Sequence, residues 1–248
     1  METVYILWQR EVKRYIRSRT RIVGSLGQPI LFLIALGFGL GPVFQRAGAG
    51  NYIQFLAPGI VAMSILFTSI FSGIQIIWDR QFGFLKETLV APVSRFEIVL
   101  GKTLGGATVA TFQGIIVLVL SLFAGFRPYN IVLLPLTIMC MFLMALLFTA
   151  LGTAVASRLN DMQGFQLVMN FLVQPLFFLS GSLFPLSGLP KALTIVAAID
   201  PLSYGVDGLR YTLSGASHYG LGIDIGVLAI LAIIFLAAGS FLFSKIEV

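Results

Sequence analysis

Residues 78–102 read WDRQFGFLKETLVAPVSRFEIVLGK. The segment holds four basic residues (Arg80, Lys86, Arg95, Lys102) and three acidic ones (Asp79, Glu87, Glu97), while the stretches on either side are almost uncharged. A charge at the centre of a bilayer costs about 3 kcal/mol or more. This segment therefore stays outside the hydrocarbon, and its neighbours are free to enter it. The whole chain fits that division: of 248 residues, 58% are hydrophobic and 10% charged, against about 25% charged in soluble domains. Mean hydropathy is +0.97. The apolar runs continue for about 20 residues instead of alternating over about 10, which specifies helices and not a barrel. The expected fold is an all-α integral membrane protein, with 1–248 forming one transmembrane domain. Six transmembrane helices are expected at 22–44, 54–77, 103–126, 131–156, 164–185 and 223–243.

Charge sets the orientation. Twelve basic residues fall in 1–21, in 78–102, near Arg158 and in the tail at Lys245; four fall on the other side (Arg46, Arg127, Lys191, Arg210). By the positive-inside rule both termini face the cytoplasm, as an even number of spans requires. The first apolar run is too long for a signal-peptide core, so no cleavage is expected. In 1–21, Val4, Trp8, Val12 and Tyr15 share one face and the basic residues occupy others. This pattern predicts an interfacial helix in the headgroup plane, anchored by Trp8; contact with a partner is the alternative. The single cysteine, Cys140, permits no disulfide framework within one chain.

Inside the charged segment, Phe82, Leu85 and Leu89 form an apolar helical stripe over 79–90. Pro92 disfavours helix at Ala91. Ser94 and Glu97 then form a capping box that starts the helix of the third span. Gly101-Lys102-Thr103 resembles the end of a phosphate loop, but the earlier glycine would fall at Phe96, so nucleotide binding in this chain is rejected.

Two spans carry polar stripes. In the second, Ser64, Thr68, Ser72, Gln75 and Asp79 lie on one face; in the fifth, Gln163, Gln166, Asn170 and Gln174 do. Polar groups facing lipid are costly, so both stripes must face protein or water. Interhelical hydrogen bonding explains such residues, and lining a conduit is the sharper reading. The candidate pathway residues are Gln28, Thr68, Ser72, Gln75, Gln166, Asn170 and Gln174. No ionisable residue is expected deep within a span, which speaks against ion coupling. No catalytic, cofactor-binding or metal-binding cluster is evident, so no enzyme activity is expected.

The chain resembles the membrane subunits of the ABC-2 export family. The resemblance is carried by the basic N-terminal helix, Leu56-Ala57-Pro58-Gly59, the 78–102 segment with Pro92, Ser94 and Gly101-Lys102, Leu183-Phe184-Pro185, and Asp200-Pro201-Leu202-Ser203-Tyr204. It implies a permease of the cytoplasmic membrane, paired with a second permease copy (a homodimer in preference to a heterodimer) and with two cytoplasmic ATPase subunits. ATP and magnesium would be bound by those subunits. It implies that 78–102 is a coupling segment, with Arg80, Phe82, Leu85, Lys86 and Glu87 as docking contacts. It also implies that 186–222 is an external segment whose short helices re-enter the membrane. Drug, lipid or lipid-linked glycan export follows as the expected function. An ion-coupled secondary transporter and a non-conducting assembly protein are the rival readings; nucleic acid is not an expected partner.

Overall fold

The structure, a computed structural model, describes residues 2–46, 50–85, 92–186, 188 and 190–245, and among them the chain is helical with no strand. Helix α1 (Glu2–Arg17) precedes the first span, α2 (Arg19–Arg46). The second span is α3 (Tyr52–Ser72), continued beyond Gly73 by α4 (Ile74–Gln81). Helix α5 (Arg95–Phe123) is the third. A 3-10 turn (Ile131–Leu133) leads into the fourth, α6 (Leu134–Ala156), and α7 (Met162–Leu179) is the fifth. Two short helices, α8 (Lys191–Ile199) and α9 (Pro201–Ser214), come before the sixth, α10 (Leu221–Ser244). Six helices are thus long and apolar enough to cross a membrane, where hydropathy places them. The fifth ends at Leu179 and not at 185, because Gly181 takes a left-handed turn (φ +74°) and the Arg210 guanidinium holds the carbonyls of Gly181 and Ser182.

Contacts between helix ends sort into two poles. At one, Arg80 and Gln81 bond the 157–160 turn, Asp79 meets Lys102, and the start of α1 lies beside Gly101. The end of α10 is at this pole too, since Gly239 packs by Ala150 and Ala154 near the end of α6. We call it the terminal pole. At the opposite pole, the Tyr52 hydroxyl donates to the Leu183 carbonyl (3.0 Å), the Tyr129 amide donates to that of Leu213 (2.8 Å), and Arg210 lies over Phe55.

Helix α3 is the centre of the bundle. Its residues 56–66 are all buried among α2, α5, α6 and α9. Lipid tails are as apolar as leucine, so helices here associate by close packing and hydrogen bonds, for which small residues are needed. A methyl group on Gly73 would collide with the backbone of Gly152, and one on Gly152 with that of Ile70. At Gly106 it would sit 2.6 Å from the Ser72 hydroxyl and 2.7 Å from a Thr149 methyl carbon.

Helix α1 is the expected amphipathic helix, but its anchoring tryptophan is held by protein. The face carrying Val4, Trp8 and Tyr15 packs on protein, not lipid. It runs alongside the first half of α5 in the same direction, with Val4 and Leu7 over Gly101 and Glu11 over Gly105. The Trp8 Nε1 donates to Thr108 Oγ1 (2.9 Å), and the Tyr15 hydroxyl donates to Gln113 Oε1. The two glycines make α5 flat enough to receive a helix, and the periodicity of α1 alone could not reveal that. The outward apolar residues are Tyr5, Ile6 and Ile16.

At the opposite pole, α8 and α9 are bent by 88° at Asp200-Pro201. Asp200 caps α9 by accepting from the Leu202 amide (2.8 Å). Leu202, Val206, Leu209 and Leu213 are buried, wedging α9 between α3, α6 and α10.

Candidate functional site

The charged segment is built differently from its sequence pattern at one point. A continuous helix over 79–90 is expected, yet α4 stops at Gln81, and Gly83 adopts φ +81°. A left-handed glycine just past a helix is a common stop, because it lacks the Cβ that penalises that conformation. Residues 86–91, including Lys86, Glu87 and Leu89, lie outside the described residues. Beyond them, Ser94 caps α5: its Oγ accepts from the Glu97 amide (3.1 Å) and the Glu97 carboxylate accepts from the Ser94 amide (3.3 Å). The capping box is formed as the sequence implies.

The remaining docking candidates fall in three environments. Arg80 is spent on structure: Nη1 donates to the Leu159 carbonyl (3.1 Å) and Asn160 Oδ1 (2.6 Å), and Nη2 to the Ser157 carbonyl (3.1 Å). It ties the end of the second span to the turn between the fourth and fifth. Leu85 is fully buried, so it supports the segment from within. Phe82 is 61% exposed and stacks near Trp78, itself outward-facing.

A buried ion network sits at the root of the segment. Asp79 accepts from the Lys102 ammonium and from Arg10 Nη2 (3.0 Å). Arg10 and Arg14 both approach Glu11 (3.6 and 3.9 Å), and Arg14 donates to Gln75 Oε1. One cluster thereby joins α1, α4 and α5. Asp79 and Lys102 read from the sequence as lying outside the spans; both belong to the helices that form them. The length of α5 explains this. Its 29 residues extend about 43 Å at about 1.5 Å per residue, against a hydrocarbon thickness of about 30 Å. Its first turns therefore project past the hydrocarbon and carry Lys102 near the membrane edge. Asp224, in the first turn of α10, also enters a span's packing: it is fully buried, with no hydrogen-bond partner among the described residues.

The candidate pathway residues divide. Gln28 and Thr68 meet in a groove of about 240 Å³ between α2 and α3, with Tyr15, Arg21, Phe67 and Phe71 among its walls. Ser72 instead donates to the Ser69 carbonyl (2.6 Å) and fills the space over Gly106. Gln75 belongs to the ion network. Gln166, Asn170 and Gln174 lie together on the exposed side of α7, about 100° round the helix from the buried line Phe165, Met169, Val173 and Phe177. They do not face the groove within one chain. Arg21 and Tyr15 complete the groove, although their sequence pattern reads as surface charge and lipid anchoring.

Among the described residues, six helices long and apolar enough to cross a membrane, a charged segment between the second and third, and a bent helix pair before the last define a polytopic membrane protein. The chain belongs to the ABC-2 type transporter family, whose model matches residues 2–214. It is 28% identical over 232 residues to Nodulation protein J of Rhizobium leguminosarum bv. viciae, covering 93% of this chain and 86% of that protein. It is 29% identical over 262 residues to the putative transport permease ycf38 of Cyanophora paradoxa (99% and 89%). With the inner membrane transport permease YadH of Escherichia coli K12 it shares 28% identity over 232 residues (92% and 90%).

Proposed function

We propose that this chain is the permease subunit of an ATP-driven exporter in the cytoplasmic membrane, with the terminal pole in the cytoplasm. It acts with a dimer of ABC ATPase subunits, which bind the ATP and magnesium, and with a second permease copy. The observation that carries the reading is the mechanical linkage of the 78–102 segment. Through Arg80 it is tied to the 157–160 turn, and through Asp79 to Lys102 and Arg10. A push on this segment by a docked ATPase therefore reaches five helices as one body. Phe82 offers the exposed apolar contact, and Lys86 and Glu87 the charged ones. The polar side of α7, costly in lipid, is covered by the second copy or lines the conduit with it. The groove at Gln28 and Thr68 pairs polar groups with Phe67 and Phe71, which suits an amphipathic or lipid-linked cargo such as a drug, lipid or glycan.

The test is purification of the full chain from native membranes. A stoichiometric ATPase co-purifies, and Phe82→Asp combined with charge reversal at Lys86 and Glu87 releases it. Absence of any ATPase from the wild-type material, or unchanged assembly and ATP turnover in the triple variant, refutes the reading.

A further inference from the structure

At the opposite pole a second, half-open cavity of about 250 Å³ is lined by Phe55, Ser203, Asp207, Arg210, Ser217 and His218 among others. Its chemistry is unusual in one respect. A half-buried guanidinium ordinarily ends on a carboxylate, because an unneutralised cation drawn away from water is costly. Arg210 forms no ion pair among the described residues. Its Nη2 donates to two neutral carbonyls, Gly181 (2.6 Å) and Ser182 (3.4 Å), its Cζ lies 3.9 Å from the centre of the Phe55 ring, and its Nε is buried without a partner.

Asp207 lines the same cavity and its charge acts on Arg210, but without ion-pair contact. Its carboxylate accepts from the Ser217 hydroxyl (3.0 Å), the His218 amide (2.8 and 2.9 Å) and the Tyr219 amide (2.8 Å). It is committed to holding the turn before α10. A second donor stands idle on the same wall: Ser203, 1% exposed, has a buried hydroxyl with no partner. A cation without a contact ion pair and a hydroxyl lacking its acceptor thus line one small cavity, with the Asp207 carboxylate already turned to other donors.

We infer that this cavity binds a phosphate or carboxylate group, held by the Arg210 guanidinium and the Ser203 hydroxyl. The group is the head of a lipid or a free anion. Phe55, on the same wall, offers an apolar surface for whatever chain the group carries. The inference does not rest on the transport reading, since binding is measured on the chain alone.

The experiment is calorimetric titration of the purified full chain in a neutral sugar detergent. The probes are dihexanoyl phosphatidylglycerol and, separately, inorganic phosphate. Arg210→Gln is a poor test because it also frees the 181–182 turn. Ser203→Ala is decisive, since that hydroxyl holds nothing else. It should bind about tenfold more weakly, the worth of a hydrogen bond to a charged group, with its melting temperature unchanged. Lys191→Gln, which removes an exposed cation outside the cavity, should bind as wild type does. Ser203-dependent binding of inorganic phosphate assigns the site to a free anion; Ser203-dependent binding of the lipid alone assigns it to a headgroup. No binding of either probe, equal binding by Ser203→Ala and wild type, or an equal loss in Lys191→Gln overturns the inference.

Discussion

Replacing Asp79 by Asn keeps the shape of the side chain and removes the carboxylate that accepts from both Lys102 and Arg10. The consequences for the two cations differ. Arg10 has a side chain 35% exposed and can turn to water, whereas that of Lys102 is 5% exposed and cannot. Stranding one member of a buried pair costs about 3–5 kcal/mol. The low end, about 3 kcal/mol, applies here because Glu11 still acts on Lys102. For a chain of this size each kcal/mol moves the melting temperature by about 2–4 °C, so Asp79→Asn should melt about 6–12 °C lower. Adding Lys102→Met removes the stranded charge and fills its space. Apolar replacement of a buried pair is often neutral, so the double variant should return to within about 1 kcal/mol of wild type. The assay is thermal melting of the purified chain followed by tryptophan fluorescence. The protein has two tryptophans, Trp8 and Trp78, one on α1 and one beside Asp79, so the signal reports this region. A single variant that melts with wild type, or a double variant no more stable than the single, refutes the argument.

Gly152→Val should force α3 and α6 apart, costing about 1–3 kcal/mol or more, seen as a lower melting temperature; a wild-type melt would contradict the close packing. Trp8→Phe and Thr108→Val should each cost about 1 kcal/mol, and the pair should cost less than their sum in a double-mutant cycle. Strict additivity would show that the bond does not hold α1 on α5. The only native cysteine, Cys140, is buried, so introduced thiols can be read individually. Thr68→Cys should react with a water-soluble maleimide and Ile65→Cys, three residues away and fully buried, should not. Equal inertness would close the groove.

Much of the architecture was legible because a bilayer leaves few options. With no water in the hydrocarbon, every backbone group must bond within its own helix, so uninterrupted apolar runs name the spans directly. The capping box at Ser94 and Glu97 and the break at Asp200-Pro201 are equally local, each depending on residues within one turn. The break at Gly83 is hidden in the sequence because the apolar period of Phe82, Leu85 and Leu89 continues through it. Periodicity records which face is apolar and not whether a glycine interrupts the backbone.

The site was less legible, since its members are neighbours only in space. The stripe from Ser64 to Asp79 is one face of one helix, yet α1, α2 and α5 divide it: Thr68 goes to a groove, Ser72 to a glycine contact, Asp79 to an ion pair. Nothing local distinguishes these fates. The sequence by itself determined the membrane class, the six candidate spans and the capped entry to α5, because hydration and hydrogen bonding act along the chain. Tertiary structure alone decided that α1 packs on glycines of α5, that Arg80 braces a distant turn, and that Arg210 and Ser203 share a cavity. Those outcomes depend on which helices touch, and that is governed by close packing between surfaces far apart in sequence.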